Sequence, residues 1–306
     1  MSLVVIGTVA FDAIETPFGK TDKIVGGAAT YASLAASYFY EKVKIIGVVG
    51  DDFQSDDIQS FKDHGIDVEG LQVKQGEKSF FWSGKYHNDM NSRDTLITEL
   101  NVLADFDPII PDSYQDCQYL LLGNLTPQIQ QTTIKRLKNR PKLVVLDTMN
   151  FWMDVALNDL LETLKMVDVL TINDEEARQL SGEYSLVKAA NKILTMGPKY
   201  LIIKKGEHGA LLFGENKIFS APALPLAEVF DPTGAGDTFA GGFIGYLAKV
   251  GTINFNNMKN ALIYGSALAS FCVEKFGTEK IKNLTKEEVA GRITEFVNLS
   301  SFVIEQ

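Results

Sequence analysis

Histidine, cysteine and tryptophan are scarce: the 306-residue chain holds three, two and two of them. Cys117 and Cys272 lie far apart in apolar surroundings. They form neither a disulfide framework nor a paired metal motif, so buried, reduced thiols are expected. His64, His87 and His208 share no metal-ligand spacing. Positive charge is also in deficit, with 29 Lys and Arg against 39 Asp and Glu for a net charge of −10. With no basic stripe to concentrate it, that balance argues against a nucleic-acid backbone as partner. Any anionic ligand must then be held by local backbone N–H groups, a few cations and a divalent metal rather than by the overall field. No stretch approaches about 18 uncharged apolar residues, and no basic segment precedes the N-terminal apolar run. Neither export nor membrane spanning is indicated, and a cytoplasmic protein is expected. Also missing are a P-loop G-x-x-x-x-G-K-[ST] and a protein-kinase H-R-D set. The turn after the first apolar run, Gly7-Thr8-Val9-Ala10-Phe11-Asp12, carries only the first glycine of a dinucleotide fingerprint.

What the chain does have is a repeated order of short apolar runs and helical stretches, built on 45% hydrophobic residues. Residues 3–7, 43–49, 119–122, 143–147 and 169–172 are strand-length apolar runs, as expected of strands buried on both faces. Helical patterns at 28–39, up to about 64, 128–138, 155–164 and 257–273 alternate with them. Such alternation predicts parallel strands with helices on both faces. Residues 78–86 break the pattern by alternating, with Phe80, Phe81, Trp82 and Tyr86, and 95–100 alternate again after a polar turn. A hairpin of this kind cannot bury both faces alone, so it must cover a site or meet another subunit. No linker, repeat or low-complexity tract divides the chain. The expectation is one α/β domain over 1–306, three-layer α/β/α, with a mostly parallel central sheet and a small β lid.

Asp231-Pro232-Thr233-Gly234-Ala235-Gly236-Asp237-Thr238 leads straight into a helical apolar run, 239–247. Two glycines around Ala235 let the backbone turn tightly, and the first N–H groups of a helix lack internal partners. Such a turn is an anion site. Asp237 stands in the same first turn, where a carboxylate beside bound phosphate can take a proton from an attacking hydroxyl. The structural alternative is that Asp237 only complements the helix dipole. Elsewhere, Asp12 lies in the loop after the first strand, and Gly26-Gly27 opens a helix of small residues. Asn173 with Glu176 reads as an N-cap and its capping-box partner. The turn 204–209, Lys204-Lys205-Gly206-Glu207-His208-Gly209, has two glycines where backbone could pass close to a ligand. Asp147 and Asn150 follow a strand at the edge where open α/β sheets bind ligands.

The full string from Asp231 through Thr238, Phe239, Ala240, Gly241 and Gly242 closely resembles the C-terminal signature of the ribokinase-like (PfkB) family of sugar and nucleoside kinases. The resemblance runs over nearly the whole chain. It implies a ribokinase-like fold with lid segments at about 12–25 and 76–100, and ATP-dependent phosphorylation of an exocyclic hydroxymethyl group. By the same resemblance Asp237 would be the base, with the N–H groups of Gly234, Ala235 and Gly236 holding the developing charge. Asp12, Gly26 and Gly27 would border the substrate, with Tyr31 near the place where the family carries an asparagine. ATP would meet Asn173, Lys205, Gly206, Gly209, Thr233, Gly234, Gly236 and Gly277. Mg²⁺ would have Asn173 and Glu176 in its outer shell, and Asp231 and Thr233 match positions that hold K⁺ in some members. A homodimer through the lid is implied, with Phe80, Phe81 and Trp82 as its apolar surface. Two rivals remain: a phosphosugar kinase, for which the lid offers Lys85 and Arg93, and a catalytically silent sugar- or nucleoside-binding protein.

Overall fold

A computed structural model describes residues 1–301, 303 and 304. Its strands are β1 (Leu3–Ile6), β2 (Ala10–Thr16), β3 (Gly19–Lys20), β4 (Ile24–Gly26), β5 (Val43–Gly50), β6 (Asp67–Lys74) and β7 (Phe80–Tyr86). They continue as β8 (Arg93–Glu99), β9 (Tyr119–Leu122), β10 (Leu143–Asp147), β11 (Val169–Asn173), β12 (Tyr200–Lys204), β13 (Ala210–Gly214) and β14 (Lys217–Ala221). Nine form the central sheet in the order β14-β13-β12-β11-β10-β9-β1-β5-β6. Neighbours from β12 to β6 run parallel. Every residue of β1, β9 and β10 is buried, which is why these runs show no polar alternation. Full burial of each Val, Leu or Ile contributes roughly 1.5–3 kcal/mol. Helices Ala28–Ser37, Ala235–Val250 and Phe255–Cys272 pack on one face, contributing Leu34, Phe243 and Leu262 to its core. Helices Leu157–Leu164, Asp174–Ser181 and Leu186–Leu194 pack on the other, with Leu160, Leu180 and Ile193.

Four details depart from the sequence reading. Asp12 is not in a loop, because Ala10 and Asp12 pair with Gly26 and Ile24 on one side and with Phe80 and Trp82 on the other. The helix expected over 155–164 is two, Asn150–Val155 and Leu157–Leu164, broken where Ala156 leaves helical geometry at φ −144°. The sheet gains an antiparallel margin, β13 and β14, beyond its parallel part. Finally, the lid is more than a hairpin: β3-β2-β7-β8 form a second sheet, with β4 also paired to β2.

The chain leaves the central strand β1 toward β5 on one side and β9 on the other, so the sheet has a topological switch point there. Open α/β sheets bind ligands beyond the carboxyl ends of the strands at such a point. The lid strand β2 starts there, four residues after Ile6.

Candidate active site

The N-terminus of helix Ala235–Val250 sits at this edge. Its N-cap, Gly234, is left-handed at φ 75°, and a Cβ there would come within 2.5 Å of the Tyr31 ring. Only glycine satisfies both the dihedral and the space. Tyr31, 1% exposed, is therefore the floor under the turn. Its hydroxyl has no hydrogen-bond partner among the described residues. The Ala235 N–H bonds Pro232 O and the Thr238 N–H bonds Gly234 O, whereas no backbone acceptor takes the Gly236 N–H among the described residues. A Cβ on Gly236 would stand 3.0 Å from Lys204 Nζ. The cradle thus fits an anionic oxygen.

Asp237 lies half-buried in the first turn of the same helix. Burial pushes its carboxyl up to about 7, and the negative Asp147 adds to the rise, while Lys204 and Arg93 oppose it. Three adjacent strands end beside it. Asp147 closes β10, Asn173 closes β11 and Lys204 closes β12, with Asn173 and Lys204 in register. Lys204 Nζ donates to Asp147 Oδ1 at 2.8 Å, and Thr171 Oγ1 donates to the same oxygen at 2.7 Å. Burial works against the lysine's charge, but Asp147, Glu176 and Asp237 outweigh it and hold its pKa above the usual value.

Asn173 and Glu176 close a complete capping box: the Glu176 N–H donates to Asn173 Oδ1 and the Asn173 N–H to Glu176 Oε2, each at 2.8 Å. Glu176 is 6% exposed, and burial raises its carboxyl to about 7. One Glu176 oxygen is spent on the cap, and the other would be the one to accept from a water of a bound Mg²⁺. Among the described residues no three His, Cys, Asp or Glu side chains gather as a metal cage. These donors therefore suit a Mg²⁺ held mainly by phosphate oxygens and water, as that ion prefers.

On the facing side, Asp12 is 4% exposed, and burial with the charges of Asp231 and Asp237 raises it to about 7. A Cβ on Gly26 would collide with Asp12 Oδ2 at 1.9 Å, so the glycine clears the carboxylate's place. Thr8, which the sequence reading passed over, caps the next helix. Its Oγ1 accepts from the Ala28 N–H and its carbonyl from the Ala29 N–H, both at 2.9 Å. Trp82 is the cross-strand partner of Asp12 and Arg93 that of Tyr86, so all four share one face of the lid. That face looks into the cleft, because Tyr86 Oη accepts from Thr233 Oγ1 at 3.2 Å. Lys85 is on the opposite face, paired with Glu15 at 2.6 Å, and so does not reach the cleft as the phosphosugar reading required.

Other candidates fall elsewhere. Asp231 is fully buried and gives both oxygens to backbone, accepting from the Thr233 N–H at 2.9 Å and the Gly277 N–H at 2.8 Å. It ties the signature turn to the Gly277 loop. In the 204–209 turn, the Lys205 N–H donates to Gly209 O at 2.8 Å, and Gly206 and Gly209 take positive φ of 53° and 80°. Asn150 points away, bonding Gln179 Oε1 at 3.0 Å. His208 is exposed in the turn. Burial pushes both thiols, Cys117 and Cys272, up to about 12, and both are free.

Comparison with known proteins defines the class. Residues 2–285 match the family described as pfkB family carbohydrate kinase, and the chain belongs to that family. It is thus an enzyme of the sugar and nucleoside kinases, which phosphorylate an alcohol group. A cytidine kinase of Thermococcus kodakarensis is 32% identical over 248 residues, spanning 80% of this chain and 87% of the relative. Among solved structures, Methanocaldococcus jannaschii nucleoside kinase superposes with a TM-score of 0.75 at 21% identity, covering 96% of this chain and 99% of that one. An Arabidopsis thaliana ribokinase, solved with ribose and ATP, gives 0.75 at 22% identity, with 95% and 98% covered.

Proposed function

We propose that the protein transfers the γ-phosphoryl group of ATP to the exocyclic hydroxymethyl of a nucleoside, with Asp237 as general base. The observation that supports this reading is that Asp237 stands in the first turn of the helix that forms the glycine cradle, close enough to Asp12 of the lid for its charge to act on that carboxyl. When bound, Mg·ATP supplies the electrophilic phosphorus, and the bond from it to the leaving ADP oxygen breaks as the acceptor oxygen bonds it. Asp237 takes the hydroxyl proton. The Gly236 N–H at the helix terminus meets charge on the transferred group, an arrangement whose strength comes from being fixed before reaction. Asp12 accepts from ring hydroxyls and orients the hydroxymethyl toward Asp237.

Three observations favour a nucleoside. Trp82 lies beside Asp12 on the cleft-facing side of the lid and offers an aromatic surface for a base. The only lid cation on that side, Arg93, acts on Asp237 and Glu176 rather than on Asp12. It is thus shared between the phosphoryl end and the Trp82 ring, 5.8 Å away, rather than standing as a separate clamp for a second phosphate. The similarity to a cytidine kinase points the same way.

The test is ADP release over a panel of nucleosides, free sugars and phosphosugars, repeated with Asp237→Asn. We expect nucleosides to be turned over best, and the variant to lose about 10² to 10⁴ in kcat while still binding ATP. Asn keeps the size and the capping ability, so turnover retained by a folded variant would rule out the base.

A further inference from the structure

We propose that Lys204 is a catalytic residue, its ammonium donating to the transferred phosphoryl group from a position fixed by Asp147. The inference rests on the phosphoryl-transfer reading above.

Geometry comes first. Lys204 Nζ is held 2.8 Å from Asp147 Oδ1, with side chains 19% and 10% exposed. It stands 3.0 Å from the point where a Gly236 side chain would begin. Glycine at 236 therefore leaves the ammonium the room it occupies beside the first turn of the cradle helix. Gly236 does not have positive φ, so the backbone itself makes no demand for glycine there. An ammonium has three donors, and Asp147 is the one side-chain acceptor Lys204 bonds among the described residues. The other donors are available to a ligand in the cradle.

Charge supplies the second argument. Asp147, Glu176 and Asp237 all lie within the field of this one lysine. Three carboxylates beside the seat of a polyanion would repel it. Two cations oppose that repulsion, Lys204 and Arg93. Arg93 is exposed on the lid, whereas Lys204 ends a buried strand of the central sheet and is fixed there by Asp147. Asp147 in turn is held by Thr171 Oγ1 at 2.7 Å. It is a positioning residue, aiming the ammonium without touching substrate.

A purely structural ion pair would explain burial, but not why the ammonium abuts the cradle. Binding of ATP and ADP separates the two. ADP lacks the group Lys204 is assigned to hold, so Mg·ATP and Mg·ADP affinities are to be measured by calorimetry for wild type, Lys204→Met and Lys204→Met/Asp147→Asn. The double variant removes the carboxylate that the single variant would leave buried and unpaired, and so keeps a folded protein in the comparison. We expect ATP affinity to fall about 10- to 100-fold in both variants, with ADP affinity within about twofold of wild type. Equal losses for both nucleotides, or no loss, in a double variant that melts like wild type would overturn the assignment. Wild type that binds neither nucleotide would instead overturn the phosphoryl-transfer reading itself.

Discussion

Asp12, Glu176 and Asp237 are each held in surroundings that favour the neutral carboxyl, with burial the leading cause. A carboxyl whose folded pKa is raised costs stability as pH increases. Below its unfolded value of 3.8 Asp12 is protonated in both states, and between there and about 7 only the unfolded chain ionises it. Stability therefore falls across that window and stays reduced above it. Asp12→Asn should abolish this slope. We expect the variant to melt higher than wild type at pH 8 and the same at pH 4, while its KM for the acceptor rises far more than its KM for ATP. A melting difference that does not vary with pH would show that the carboxylate is not strained by its burial. Asp237 stood out in the sequence because it lies in a long string leading into a helix, whereas Asp12, a lone aspartate after a strand, was singled out by the family resemblance alone. Lys204 was not singled out. Two adjacent lysines look alike on paper, and Lys205 was the one assigned to nucleotide. Only the register of β12 on β11, which pairs Lys204 with Asn173, turns the first inward and leaves the second in the turn.

Among the elements, the parallel strands were legible because burial on both faces leaves an uninterrupted apolar run. The lid was harder to read. Its aromatic residues suggested an outward apolar surface on Phe80, Phe81 and Trp82, yet all three are half-buried. Exposed apolar side chains stand instead on and beside β8, with Leu96, Ile97 and Leu100 at 55%, 48% and 52%. β8 is an edge strand, every residue of it exposed. Arg93 and an irregularity near Gly84 blunt backbone pairing along this edge, so the exposed apolar side chains are what remain to meet another chain. We propose that a second copy packs on this strand, and expect a dimer by light scattering at micromolar concentration. Ile97→Lys should shift it toward monomer without changing the monomer's melting temperature by more than about 1 °C, since the side chain is exposed. A monomeric wild type would remove the proposal. The break at Ala156, the antiparallel sense of β13 and the strand β14 were not foreseen, because one residue's dihedral and a sheet margin leave no periodic trace.

At the scale of the molecule, the two halves of the cleft belong to different bodies. Asp237, Lys204 and Glu176 are fixed to the central sheet and its helices. Asp12 and Trp82 ride on the second sheet, and the Tyr86 hydroxyl meets Thr233 across the gap. The lid's turn also comes down on the far side, placing Asn91 Oδ1 2.8 Å from where a Gly206 side chain would begin. An acceptor bound at Asp12, as proposed, would be enclosed between these two sheets. We expect its escape to wait on the two sheets parting, so that the clock for release is set by the protein and not by the guest. Dissociation of chemically different nucleosides, followed by stopped-flow through Trp82 fluorescence, should therefore converge on one rate constant even where equilibrium affinities differ, with the differences carried by the rates of entry. Rate constants of release that instead spread in step with affinity would mean the door stands open while the ligand is inside.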